Sequence, residues 1–268
     1  MKLALCQLDI VWEEKQANLV KCAAAAGAAA RAKADLVVFP EMSLTGFSME
    51  SAKIAEPLDG LSVRAMQGIA AAHTIHVVFG LATVQEGKYY NTLVCLDTSG
   101  KIIHTYNKIH PFCHGREDKH YASGDQFRSF EIDGVPLAGF ICYDLRFPEL
   151  FTHLADRTKL YIVIANWPDA RVDHWKHLLR ARALDTFAFV AGVNRVGSGG
   201  NLGYTGDSLV FDPWGRLVDG TEDPQHSLLF REIDVGQVDR VRKEFSLLDD
   251  RRWSVYASHR PNKDGRAE

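Results

Sequence analysis

Val135-Pro-Leu-Ala-Gly-Phe-Ile-Cys142-Tyr-Asp-Leu-Arg146-Phe-Pro148-Glu149 joins an apolar strand to a helix through a cysteine. The run 135–141 has the composition of a buried strand, and Phe147-Pro148-Glu149-Leu150 reads as a first helical turn with proline near its start. A cysteine at that junction is presented at the end of a sheet, beside unpaired backbone N–H groups and the positive end of a helix. Such surroundings favour a thiolate and can hold an oxyanion. A core cysteine that merely ends a strand is the plain alternative, because free cysteine is among the most buried residue types.

Two further residues share this placement. Leu36-Val-Val-Phe39 reads as a short apolar strand running into Pro40-Glu41, and Lys101-Ile-Ile-His-Thr-Tyr106 alternates as a strand running into Asn107-Lys108-Ile-His110. Glu41, Lys108 and Cys142 therefore each follow the carboxyl end of a predicted strand. Neighbouring strands of an α/β sheet share one crevice at that end. A carboxylate, an ammonium and a thiol gathered there supply a base, an electrophile and a nucleophile. Exposed strand-end charges are the alternative for Glu41 and Lys108 singly; their joint placement with Cys142 favours chemistry.

The rest of the chain alternates in the same way. Strands are expected over 3–10, 76–84, 160–165, 189–193, 208–211 and 228–233, with helices over 14–33, 61–73, 148–156, 173–185 and 235–245. Asp97-Thr-Ser-Gly100 carries turn chemistry between strands 89–96 and 101–106, and Asp133-Gly134 is a favoured two-residue turn between 127–132 and 135–141. Crossovers mixed with hairpins imply an α/β fold of mixed sheets covered by helices.

Three blocks of this sequence resemble the signatures of the carbon–nitrogen hydrolase (nitrilase) superfamily: Phe39-Pro40-Glu41 with Gly46-Phe47, Asn107-Lys108-Ile-His110, and Cys142 through Glu149. Asp173 through Arg182 and Asp212-Pro-Trp-Gly-Arg216 are similar to that family too, so the resemblance spans residues 3–245. Asn166-Trp167-Pro168, with the helix beginning at Asp173-His174-Trp175, resembles the branch of the ω-amidases (2-oxoglutaramate amidases). The resemblance implies a four-layer α-β-β-α sandwich in one domain, 1–245. It implies a tail, 246–268, of a kind that often reaches across a dimer partner; a frayed terminus is the alternative. It also implies a second glutamate between the lysine and the cysteine, for which Glu117 is the matching residue and Asp118 the neighbouring candidate. The implied roles are Glu41 as base, Cys142 as nucleophile, Lys108 and the Tyr143 backbone N–H as oxyanion donors, and Glu117 as the group that offsets and orients the lysine. Hydrolysis of a small ω-amide such as 2-oxoglutaramate through a thioester is the implied activity. An N-carbamoyl amine, a nitrile or another aliphatic amide is the alternative substrate. A catalytically silent protein on this fold predicts damage to one of the three blocks, and all three are intact.

A small ω-amide carries a distal carboxylate. Arg146 and Arg171 are the candidates to bind it, since arginine grips carboxylate bidentately; structural ion pairs, for Arg146 with Asp144 or Glu149, are the alternative. Trp167, Tyr121 and Phe112 are expected to wall the pocket or simply to pack.

Composition agrees with one globular enzyme domain. Of 268 residues, 46% are hydrophobic and 24% charged, with a net charge of −3, which argues against nucleic-acid or anionic-membrane partners. No apolar run of about eighteen residues occurs, and the amino terminus lacks a signal-peptide core. Five cysteines without paired spacing suggest reduced thiols in a cytoplasm. Cys113 with His110, His114 and His120 lacks zinc spacing, so neither metal nor cofactor is expected. Gly197-Ser-Gly-Gly-Asn-Leu-Gly203 has Leu202 where a dinucleotide loop needs its third glycine, and reads instead as a flexible loop, with the mouth of a site as its candidate place. Homo-oligomerisation, at least to a dimer, is implied by resemblance alone.

Overall fold

Alternation along the first strand, β1 (Lys2–Cys6), sets the layering. Leu3 and Leu5 enter one core while Ala4 and Cys6 enter another, because successive strand side chains face opposite ways. The computed structural model, which describes residues 1–259, repeats this division through the chain.

After β1 come α1 (Lys15–Arg31), β2 (Leu36–Val38), the short α2 (Ser51–Ile54), α3 (Leu61–His73), β3 (His76–Gln85) and the hairpin β4 (Lys88–Leu96) and β5 (Ile102–Asn107). The second half holds β6 (Phe130–Ile132), β7 (Val135–Ile141), α4 (Pro148–His153), β8 (Leu160–Ala165), α5 (Val172–Thr186) and β9 (Phe189–Asn194). It closes with β10 (Val196–Gly199), β11 (Leu202–Thr205), β12 (Leu209–Phe211), β13 (Gly220–Asp223), β14 (Leu228–Glu232), α6 (Gly236–Glu244) and α7 (Trp253–Ser258).

One sheet has seven strands in the order β13-β14-β1-β2-β3-β4-β5, and the other has five, β12-β9-β8-β7-β6. Their inner faces meet in a core that includes Leu3, Val38, Leu93 and Tyr106 from the first sheet and Leu137, Phe140 and Ile164 from the second. At Gly139 a Cβ would lie 2.9 Å from Leu93 Cδ1, so the missing side chain lets the sheets close. Outside the larger sheet lie α1 and α3, whose Cys22, Ala25, Ala29, Val63 and Met66 pack on Ala4, Val37 and Phe79. The alanine-rich face of α1 allows that helix a close approach. Outside the smaller sheet, Trp175 and Leu179 of α5 fill the space over Gly192 of β9. The result is the α-β-β-α sandwich.

Two turns formed as their residues require. Asp133 and Gly134 both have positive φ (50° and 77°) between the paired residues Ile132 and Val135. The Asp97 carboxylate accepts from the backbone N–H groups of Ser99 and Lys101 between β4 and β5. Residues 197–203 are a correction: they form the hairpin β10–β11 rather than a flexible loop. Val196 to Gly199 pairs with Thr205 to Leu202, and the turn residues Gly200 and Asn201 have φ of 56° and 64°. Glycine and serine hide the alternation that would mark a strand. The α2, β13 and α7 segments were likewise unread, each being short and weakly patterned. Among the described residues no helix is long and apolar enough to cross a membrane. Of the tail from 246 on, residues 260–268 lie outside the described residues; before them, Arg251 donates to the backbone carbonyls of Thr152 (2.9 Å) and Asp185 (2.8 Å).

Candidate active site

β2, β5, β7 and β8 end toward one region between the sheets, and the segments after them supply its polar groups. Glu41 follows β2 on a tight bend in which Met42 has φ of 43°. The bend presses against β3 at Gly80, where a Cβ would lie 2.6 Å from Met42 N and 2.8 Å from Glu41 Cα. Only glycine fits there. From β8, Asn166 fixes the carboxylate: its backbone N–H donates to Glu41 Oε2 at 2.8 Å and its side-chain amide to the Glu41 carbonyl at 2.6 Å.

Lys108 follows β5, its backbone N–H bonded to the Asn91 carbonyl (2.9 Å) and its ammonium almost fully buried. That ammonium donates to Glu41 Oε1 at 2.9 Å and to Glu117 Oε2 at 2.9 Å. Glu117 opens a short 3₁₀ turn and exchanges hydrogen bonds with Phe112: the Phe112 N–H donates to Oε2 at 2.6 Å, and the Glu117 N–H to the Phe112 carbonyl at 3.2 Å. Burial pulls the Lys108 ammonium down, but Glu117 and Glu41 outweigh it and hold this group well above the ordinary lysine value. Burial and the neighbouring Glu41 charge push Glu117 upward against the pull of Lys108.

Cys142 follows β7 with φ of 47°, a left-handed conformation that turns the chain sharply. Residues Cys142–Arg146 form a 3₁₀ turn, so the N–H of Tyr143, its second residue, has no acceptor within that turn. Buried Asp144 anchors the bend. It accepts from Tyr106 OH (2.8 Å), the Ile141 N–H (3.2 Å), the His110 N–H (3.0 Å) and the His110 ring (2.9 Å). Burial, the charge of Glu41 and a hydrogen bond to it push the Cys142 thiol well above the ordinary cysteine value, although Lys108 draws it down. At this buried, glutamate-facing sulfur, desolvation and Glu41 therefore work against the thiolate that the strand end and Lys108 favour.

The half-buried Cys142 opens on a pocket of about 430 Å³, part of it open to solvent. Phe47, Phe112 and Tyr143 line one part, and Asn166, Trp167 and Pro168 another. Arg146, Arg171, Leu202 and Tyr204 complete it. Among the described residues neither arginine forms an ion pair. The Arg146 guanidinium lies 4.9 Å from the Trp167 ring centroid, and Arg171 lies 5.6 Å from that of Phe112. Among the described residues Arg146 pairs with neither Asp144 nor Glu149; its Nη2 lies 3.2 Å from His174 Nδ1.

Comparison with known proteins fits this geometry. Residues 2–243 match the family model described as carbon-nitrogen hydrolase. The chain belongs to the carbon-nitrogen hydrolase family. This hydrolase is 36% identical over 227 residues to a 2-oxoglutaramate amidase of Bacillus subtilis (strain 168), covering 83% of the chain and 87% of the relative. It is 33% identical over 252 residues to an omega-amidase of Escherichia coli (strain K12), covering 93% and 96%. A crystal structure from Xanthomonas campestris, of a CN-hydrolase superfamily protein with an arsenic adduct in its active site, has a TM-score of 0.87 at 32% identity, over 94% of this chain and 97% of that one. A mutant amidase from Nesterenkonia sp. AN1, showing Michael addition of acrylamide at the active site cysteine, has a TM-score of 0.84 at 25% identity, over 96% and 98%. The hydrolase thus acts on carbon–nitrogen bonds other than peptide bonds, as an amidase beside the ω-amidases of its family.

Most expected residues of the hydrolase meet in one place: Glu41, Lys108 and Glu117 by direct hydrogen bonds, and Cys142, Tyr143, Arg146, Trp167 and Arg171 around the pocket. Tyr121 does not line it. Its ring packs with Met42, Ile54 and Ala82, and its hydroxyl donates to the Ser48 carbonyl at 2.7 Å, which places it behind the glutamates as a brace. Leu202, in the segment 197–203 expected at the mouth of a site, does line the pocket, whereas Phe47 and Tyr204 were missed as pocket walls because they sit in a turn and a hairpin without a residue-type signal. Asn91 was missed as well, although an asparagine within an apolar strand is itself a signal.

Proposed function

We propose that the hydrolase releases ammonia from a small ω-amide bearing a distal carboxylate, with 2-oxoglutaramate as the representative substrate. The pocket carries this reading: it has Cys142 beside a lysine shared by two buried glutamates, and two arginines free of carboxylate partners among the described residues. The substrate carboxylate lies against Arg146 and Arg171, and Trp167 stacks under Arg146 to hold the guanidinium in place.

Glu41 accepts the Cys142 proton as the sulfur attacks the amide carbonyl, so no resting thiolate is needed. The developing oxyanion takes hydrogen bonds from Lys108 and the Tyr143 N–H; losing one such donor costs about 3–4 kcal/mol of transition-state stabilisation. Glu41 passes the proton to the departing nitrogen, ammonia leaves, and a thioester joins the acyl group to sulfur. Water then gives a proton to Glu41 and its oxygen to the acyl carbon, the acid departs, and Cys142 regains its proton. Glu117 leaves Lys108 one further counter-charge and fixes its direction.

Ammonia release from 2-oxoglutaramate, succinamate, an N-carbamoyl amino acid and an aliphatic nitrile, by wild type and Cys142→Ala, tests this. Expected is fastest turnover on the two ω-amides, abolished in Cys142→Ala with unchanged thermal unfolding. Preference for the carbamoyl compound or the nitrile would overturn the substrate, and hydrolysis surviving in Cys142→Ala would overturn the mechanism.

A further inference from the structure

Asn91 stands near the start of β4 and is buried. Both hydrogens of its amide are used on carboxylates: Nδ2 donates to Glu41 Oε1 at 2.7 Å and to Glu117 Oε1 at 2.9 Å. These two oxygens also lie within reach of the Lys108 ammonium, at 2.9 and 3.2 Å. One neutral amide and one cation therefore bridge the same pair of acids. The Asn91 backbone carbonyl meanwhile accepts from the Lys108 N–H, so a single residue fixes three members of the cluster.

The amide's other end decides its orientation. Asn91 Oδ1 is buried and has no hydrogen-bond partner. Leaving a buried carbonyl unpaired is costly, and reversing the amide would instead turn that oxygen onto two carboxylates. The observed orientation trades one unpaired acceptor for two charge-assisted donations.

We propose that Asn91 is a positioning residue: its amide spaces Glu41 and Glu117 on Lys108 and keeps Glu41 able to accept the cysteine proton. The proposal rests on the catalytic roles assigned above to Glu41, Lys108 and Cys142. One ammonium faces two carboxylates inside the protein. The other titratable groups facing it are the Cys142 thiol and the phenols of Tyr121 and Tyr204, none of which brings a positive charge. Among the described residues, these carboxylates take hydrogen bonds from Lys108, Asn91, Asn166, the Phe112 N–H and the Cys142 thiol. Removing the Asn91 amide withdraws a neutral donor that both acids share. A carboxylate that loses a donor to its charged form protonates at higher pH, so the acid limb of turnover moves up.

The test is kcat/KM for ω-amide hydrolysis between pH 4 and 9 in wild type, Asn91→Ala, Asn91→Ser and Cys142→Ala. Asn91→Ala is expected to raise the acid limb by about one pH unit, so that its deficit is largest at low pH and narrows as pH rises. Asn91→Ser, which keeps one donor, falls between it and wild type, and carries the test should the alanine variant fail to fold. A deficit constant across pH with an unmoved acid limb, while Cys142→Ala is silent, would overturn this role of Asn91 and leave the mechanism standing. Hydrolysis persisting in Cys142→Ala would remove the mechanism, and this inference with it.

Discussion

Four donors converge on Asp144, which lines no part of the pocket and yet sets the left-handed bend at Cys142. Replacing it by alanine leaves the Tyr106 hydroxyl and the His110 donors in a buried site without an acceptor. Asp144→Ala is expected to destabilise the fold by about 3 kcal/mol in urea unfolding and to depress turnover on every amide tested alike. A variant within about 0.5 kcal/mol of wild type would show that the bend holds itself. Cys142 gives a second prediction at this scale. Burial and Glu41 hold its thiol above the ordinary value, so the thiolate fraction grows with rising pH across the whole neutral range. Alkylation of Cys142 by iodoacetamide is expected to accelerate through pH 9, and to slow further in Lys108→Met, which removes the attracting charge. A rate already level at pH 7 would mean a resting thiolate.

Strands and turns aim these residues, and glycine marks where the aim is tight. Gly80 lies within β3 and lines no part of the pocket, but its bare Cα lets the Glu41 bend sit against the strand. A methyl group there would meet backbone rather than a flexible side-chain end, so Glu41 or the strand must shift. Gly80→Ala is expected to lower kcat/KM about a hundredfold, since small displacements of a catalytic group cost that much, and to spare cooperative unfolding. Activity within about threefold of wild type would show that the bend absorbs the methyl group. The β10–β11 hairpin acts differently, lending Leu202 and Tyr204 to the pocket wall. Leu202→Asp places a carboxylate on the substrate's side of the arginines. A raised KM for ω-amides with less effect on kcat is expected from steady-state kinetics, and an unchanged KM would exclude Leu202 from the binding wall.

Across the whole molecule, the two sheets bury titratable groups far from the pocket, and one ties stability to pH. His104 on β5 stacks on Phe130 at 4.2 Å, and burial, aided by Arg128, lowers its pKa to about 4. The unfolded histidine titrates near its ordinary value of about 6.5. Between these values the unfolded chain binds a proton that the folded chain refuses, so stability falls as pH drops through that window, by ~3 kcal/mol in all. Urea unfolding of wild type and His104→Gln at pH 7, 5.5 and 4.5 is expected to show a steeper acid loss in wild type. Parallel pH dependences would assign the acid sensitivity elsewhere.

Local sequence chemistry determined the strand ends carrying Glu41, Lys108 and Cys142, the Asp133-Gly134 turn and most helices and strands, because alternation, apolar runs and turn residues act over a few neighbours. The family blocks carried Glu117 to its position. Tertiary structure alone decided that Asn91 bridges two acids fifty and twenty-six residues away, that Tyr121 braces rather than lines the pocket, and that the hairpin after Arg195 forms a wall. It also decided that burial and Glu41 push the Cys142 thiol upward. Hydrogen-bond partners distant in sequence, and the desolvation that sets a pKa, exist only once the two sheets have closed on each other.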